Sequence, residues 1–209
     1  MAEQFRRWNA ILEQAARSTD MDIRARVFAA RSYTPIPLLV AVLIMAEPNL
    51  LTLATGGLVV VLGESIRLWA VGYAGSATRT RHVGAPSLIT NGPYGRVRNP
   101  LYVGNFILSL GLCIMAWAWM PYMLGIFLAA FAVQYGLIVS LEEESLRSIF
   151  GEEYDAYVRA VPRFLPRFTG YVGGEPAPYD FAAALRSERR TFQSIAAVAV
   201  AIAARWYFG

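Results

Sequence analysis

Three groups of residues in this 209-residue chain have types and spacings that chemistry can use. Glu64 and Arg67 stand three apart inside an apolar run, so on a helix they share a face. Lipid tolerates such charges where they pair with each other or line a cavity. Counted from a turn near Leu50 at ~1.5 Å per residue, they lie ~21 and ~26 Å along a helix that crosses a ~30 Å core, close to its far boundary. They are a site or a structural ion pair whose ends reach the headgroups. The second group is the loop 88-LITNGPYGRVRNPLYVGN-105. Gly92 and Gly95 free its backbone, Pro93 and Pro100 fix theirs, and Tyr94, Arg96, Arg98, Asn99 and Tyr102 stand between them. Such a loop can wrap a ligand, and Pro100 opens a helix whose first amides suit a carboxylate. An ordinary turn with arginines on lipid phosphates is the other reading. The third group is Glu142, Glu143 and Glu144, three acids where an apolar run ends. Beside anionic lipid they call for a cation, either Arg67, Arg96 or Arg98 or a bound ligand; a solvated helix segment is the alternative.

Metal and nucleophile chemistry have little to build on. Cys113 is the only cysteine and His82 the only histidine, so no disulfide and no cysteine-based metal site is expected.

The elements that must position these groups are membrane helices. The chain is 56% hydrophobic and 16% charged, which moves it from the soluble average toward the membrane class. An all-α fold is expected: a polytopic bundle of four to five transmembrane helices, arranged as two hairpins and a C-terminal apolar helix. Residues 1–32 read as a cytosolic arm without the pattern of a cleaved signal peptide. Spans are expected at about 33–46, 50–73, 101–119 and 122–141, with breaks at Glu47–Asn49 and Met120–Pro121. An amphipathic helix follows over about 142–160, kinked at Gly151. Residues 169–209 hold a Pro/Gly linker and an alanine-rich run, Phe192–Phe208, that either spans the membrane or lies in its interface.

All 19 basic residues are arginine. They collect in the N-terminal arm, the 75–100 loop and the stretch after Leu141, and are absent from both hairpin tips, which places the rich segments in the cytosol. The net charge of +4 fits anionic headgroups and not nucleic acid.

The segments GESIRLWA at Gly63–Ala70, AGS at Ala74–Ser76, LITNGPYGRVRNPLY at Leu88–Tyr102, EESL within Glu142–Leu146, and FGEEYDAY at Phe150–Tyr157 carry a resemblance. In order and spacing, over about half of the chain, they resemble the isoprenylcysteine carboxyl methyltransferase family and, more widely, the membrane methyltransferases that include phospholipid N-methyltransferases. The resemblance implies a pocket for S-adenosyl-L-methionine closed by the loop and the helix after the fourth span. Its contacts would fall on Arg79, Pro86, Ser87, Leu88, Ile89, Tyr94, Asn99, Pro100, Leu101, Tyr102 and Glu142. The loop backbone at Gly92 and the neighbouring acid Glu143 complete the expected cofactor set.

Two departures bear on the acceptor. Asn99 stands where the family commonly has histidine, and asparagine forms hydrogen bonds but is no base. Ile138 stands where the family tends to carry an arginine.

Methyl transfer asks the protein mainly to align donor and acceptor and exclude water, so Glu64, Arg67, Arg98 and Asn99 are the expected residues at the reacting end. The expected protein is a methyltransferase of a cell membrane, such as the bacterial inner membrane, acting at the cytosolic face. Its acceptor would be lipophilic or small: an isoprenylcysteine-type carboxyl or thiol, or a lipid amine. The competing class is a non-catalytic membrane scaffold or lipid-binding protein.

Overall fold

A computed structural model describes residues 22–75, 87–171, 173–174 and 176–208, and shows seven helices among them. In chain order they are α1 (Ile23–Ala30), α2 (Ile36–Ile44), α3 (Leu50–Ala74), α4 (Pro100–Ala116), α5 (Tyr122–Phe150), α6 (Glu152–Ala160) and α7 (Phe181–Phe208). Their boundaries follow local chemistry. Asn49 and Thr52 form a capping box at the start of α3, each side chain bonding the other's backbone amide. Pro100 begins α4, where its missing amide is harmless. Gly151, at φ +55, separates α5 from α6.

The tightest packing joins α3 to α4, antiparallel, through glycines spaced seven apart on each helix. A Cβ on Gly56 would stand 2.4 Å from the Met115 amide nitrogen, and one on Gly63 2.3 Å from that of Leu108. Gly111 meets Val60 and Gly104 meets Arg67 in the same way. Small residues let membrane helices approach backbone to backbone, where dispersion and not the hydrophobic effect holds them. The hairpin neighbours α4 and α5 differ. Phe106, Phe127, Phe131 and Tyr135 fill the space between them, with ring centroids 4.0–5.8 Å apart, so they meet mainly through side chains. A core of Val42, Ala46, Val60, Leu108, Met115, Phe127 and Ile202 joins α2, α3, α4, α5 and α7 toward the hairpin tips.

Three helices, α3, α5 and α7, are long and apolar enough to cross a membrane, and α4 adds a shorter apolar helix of 17 residues, about 25 Å. The protein is an integral membrane protein built as a helical bundle. Three expectations need correcting. Residues 33–46 do not form one span: α2 has nine residues, about 13 Å, because Pro35 and Pro37 block its extension backward and Glu47–Pro48 blocks it forward. The helix expected over 142–160 is divided, with 142–150 continuing α5 and only 152–160 forming α6. The last helix starts at Phe181, eleven residues before its apolar run, because the arginine-rich segment consists of helix formers and packs Ala184 and Glu188 fully against the bundle.

Candidate active site

At the end of the bundle where α3 finishes and α4 starts lies a cavity of about 870 Å³. The loop before α4 forms one wall with Ser87, Leu88, Ile89, Tyr94, Arg98 and Asn99, and α4 continues it with Pro100, Leu101 and Tyr102. Glu142 and Leu146 of α5 and Tyr154 and Tyr157 of α6 form the second wall. The remaining sides come from Phe28–Tyr33 around the end of α1, from Arg67, Asn105 and Tyr135, and from Glu188, Arg190 and Thr191 of α7.

The loop holds its shape through bonds to the segment between α6 and α7. Thr90 donates to the Gly173 carbonyl at 2.6 Å, and the Asn91 amide bonds both backbone groups of Ala177. The Tyr171 amide donates to the Gly95 carbonyl at 2.8 Å. Tyr157 donates its hydroxyl to the Tyr94 carbonyl at 2.7 Å, tying α6 to the loop. Burial pushes the Tyr94 hydroxyl well above its ordinary pKa, with the Glu142 carboxylate as second cause, and burial does the same to Tyr157. Both stay neutral and keep their protons for hydrogen bonding. Across the cavity, Tyr102 donates to Glu142 Oε1 at 2.6 Å, which orients that carboxylate.

Two of the expected cofactor residues sit elsewhere. Glu143 is buried and outside the cavity wall: Arg98 contacts its Oε1 at 3.1 Å, Asn99 donates to the same oxygen at 3.3 Å, and Arg163 closes a short ion pair on Oε2. One helical step from Glu142, it faces a different partner set. Arg98 spends its remaining donors on the Val158 and Val161 carbonyls, so its guanidinium ties loop, α5 and α6 together. Gly92 takes φ +60 and lies against the Tyr73 ring, where a Cβ would come within 2.4 Å; it serves a close approach and is not in the cavity wall. Arg79 and Pro86 lie outside the described residues, as does His82.

Arg67 lines the cavity and Glu64 does not. The guanidinium is held from three directions: Nε donates to Glu64 Oε2 at 3.2 Å, Nη2 to Glu188 Oε2 at 2.6 Å, and Nη1 to Asn105 Oδ1 in a short contact. Asn105 in turn donates to the Tyr135 hydroxyl at 3.3 Å. Sequence reasoning missed Glu188, Asn105, Tyr135, Tyr154, Tyr157 and Arg163. The available signal was weak: Asn105 and Tyr135 are isolated polar residues in apolar helices, and Glu188 looked like one charge in a solvated flank. Ile138 is fully buried in the bundle.

The bundle and its cavity define a membrane-embedded helical protein with a chamber at one end. The phospholipid methyltransferase family model matches residues 51–153, from the first turn of α3 into α6. It is 36% identical over 127 residues to the cobalt-zinc-cadmium resistance protein CzcN of Cupriavidus metallidurans, covering 61% of this chain and 54% of that protein. It is 36% identical over 122 residues to the protein-S-isoprenylcysteine O-methyltransferase of Mus musculus, covering 56% of this chain and 42% of that enzyme. It is also 34% identical over 117 residues to the nickel-cobalt-cadmium resistance protein NccN of Alcaligenes xylosoxydans xylosoxydans, 56% of this chain and 51% of that protein. The match thus spans about half the length of these relatives. No solved structure matches the chain.

Proposed function

We propose that the protein is an S-adenosyl-L-methionine-dependent methyltransferase whose donor site is the wall formed by Ser87–Tyr102 and Glu142, facing the cytosol. One observation carries the reading: stretches far apart in sequence, the loop with the start of α4 and the acid of α5, face one cavity whose volume falls in the range of small-molecule sites. The donor set suits this cofactor. Leu88, Ile89, Tyr94 and Tyr157 offer apolar and aromatic surface to a purine, and Glu142, aimed by Tyr102, accepts hydrogen bonds from hydroxyls or an ammonium.

When bound, the cofactor supplies a methyl group already activated on a sulfonium, so no nucleophile or base of the protein is required for activation. The residues of this chain bind, orient and exclude water. Arg67, fixed by Glu64, Asn105 and Glu188, gives the far end of the cavity a rigid set of N–H donors for an acceptor. Arg98 and Asn99 act by holding the loop on Glu143 and α6. Arg67, whose guanidinium stands at the far end from the loop, is the cation that meets the acceptor, a lipophilic or small molecule.

Isothermal calorimetry of the full chain in detergent tests the donor site. S-adenosylmethionine binds, and binding weakens at least tenfold in Glu142→Ala and Tyr94→Ala; wild-type affinity in both variants would remove this assignment. Transfer of labelled methyl groups to total lipid, small-thiol and prenylcysteine pools then identifies the acceptor.

A further inference from the structure

After α6 the chain runs through Arg163, Phe164, Leu165, Pro166, Arg167 and Phe168. Three apolar side chains of this segment point outward: Phe168 is 97% exposed, Leu165 81% and Phe164 40%. Isolated exposed apolar residues are ordinary, but three within five residues on one short loop form a patch. The backbone beneath them is pinned. The Arg98 amide donates to the Pro162 carbonyl at 2.9 Å, the Arg167 amide to the Arg96 carbonyl at 2.9 Å, and the Asn99 side chain to the Arg163 carbonyl at 3.2 Å. Arg96 returns a bond to the Phe168 carbonyl and Arg167 one to the Ala160 carbonyl, each at 2.6 Å. A segment held this way has no freedom to fold its phenylalanines inward.

Arg163 and Arg167 lie in the segment itself, Arg96 is bonded to its Phe168 carbonyl, and Arg159 stands in the last turn of α6 just before it. Of these, only Arg163 has a carboxylate partner among the described residues, Glu143, which Arg98 shares. The segment also lies at a defined level of the bundle, because Glu143 follows the apolar part of α5 and Asn99 directly precedes α4. Apolar tips flanked by cations, at the height where the spans leave the apolar core, match the boundary of an anionic leaflet, with aromatic and leucine side chains among the upper acyl chains and guanidinium groups on phosphates.

We infer that the Arg163–Phe168 segment is a membrane-surface anchor that inserts Phe164, Leu165 and Phe168 into the headgroup boundary of an anionic lipid leaflet. The anchor is independent of the methyl-transfer reading. Since its backbone holds Arg98 and Asn99, it also connects the lipid surface to the loop that walls the cavity.

Site-directed spin labelling of the full chain in vesicles tests this. A nitroxide is placed on Phe168→Cys or, as a water-exposed reference, on Glu152→Cys of α6, with the buried Cys113 replaced by serine. In phosphatidylcholine vesicles containing phosphatidylglycerol, the label at 168 should show an oxygen-to-nickel-chelate accessibility ratio several-fold above the label at 152. The ratio should fall in pure phosphatidylcholine and in Arg159→Gln, whose side chain is exposed and has no ion-pair partner among the described residues. Equal ratios at 168 and 152 in the anionic vesicles would overturn the anchor. So would strong dipolar broadening between labels at 168, which would assign the patch to a second copy of the chain. A high ratio insensitive to both phosphatidylglycerol and Arg159→Gln would overturn the anionic character of the surface.

Discussion

Arg67 of α3 donates to Glu188 of α7 across 121 residues of sequence, at 2.6 Å, with the carboxylate 1% exposed and the guanidinium side chain 12%. This pair attaches the last helix, which lies outside the matched stretch 51–153, to the α3 side of the cavity. Both groups are desolvated, so losing either removes a buried charge contact, although Arg67 keeps Glu64 when Glu188 is lost. Glu188→Gln should lower stability by about 3 kcal/mol, the lower bound for breaking a buried pair, and Arg67→Met by a similar amount. The double variant should lose less than the sum of the two, and thermal unfolding in detergent of all four proteins measures the difference.

Neighbouring acids on α5 should separate by phenotype. Glu142 faces the cavity with one tyrosine partner, while Glu143 is fixed between Arg98, Asn99 and Arg163. Glu143→Ala should lower the melting temperature of the unliganded protein by several degrees, because two buried or half-buried guanidinium groups lose their counter-charge. Glu142→Ala should leave that temperature nearly unchanged and abolish the shift that S-adenosylmethionine produces in wild type. A melting curve of each variant with and without the cofactor decides the matter.

The glycine seam between α3 and α4 gives a steric prediction. Gly63→Ala places a methyl group 2.3 Å from the Leu108 backbone and Gly56→Ala one 2.4 Å from that of Met115, and backbone gives way less easily than a side chain. Each should cost about 1–3 kcal/mol or more as the helices separate. Gly125→Ala and Gly136→Ala on α5 meet nothing within 4 Å and should be neutral or slightly stabilising by helix propensity. Unfolding curves of the four variants test the contrast.

At Gly92 two causes act together, a left-handed backbone and the Tyr73 ring. Gly92→Ala should weaken cofactor binding by shifting the loop. In the Gly92→Ala/Tyr73→Ala protein the clash is gone and only the backbone strain of about 1–2 kcal/mol remains. Calorimetry should therefore show partial recovery in the double variant; no recovery would locate the whole effect in the backbone.

Much of this arrangement could be read from residue order, and the remainder has a common physical cause. Asn49, Pro100 and Gly151 act within one turn of themselves, so the helix boundaries they set are visible in sequence. Glu64 and Arg67 announce themselves because charge inside an apolar run is costly wherever it folds. Glu188 does not: an acid between Ser187 and Arg189 in an arginine-rich flank has the pattern of a solvated helix face, and only the docking of α7 on α3 buries it. Arg163 is hidden likewise: it stands between Pro162 and Pro166, which break any helical pattern without indicating which acid the arginine meets. The short α2 shows the opposite error, a run apolar enough to suggest a span that its own prolines cut to nine residues.

The cavity is assembled from two kinds of sequence. Ser87–Tyr102 and Glu142 come from the family-matched stretch, whereas Phe28 and Tyr33 around the end of α1 and Glu188, Arg190 and Thr191 of α7 come from either side of it. One wall therefore lies inside the family-matched stretch and the opposite wall outside it. Proteins that share this stretch can keep one half of the chamber and recast the other by changing their flanking helices, and exchange of α1 and α7 between such proteins would transplant that other half as a unit.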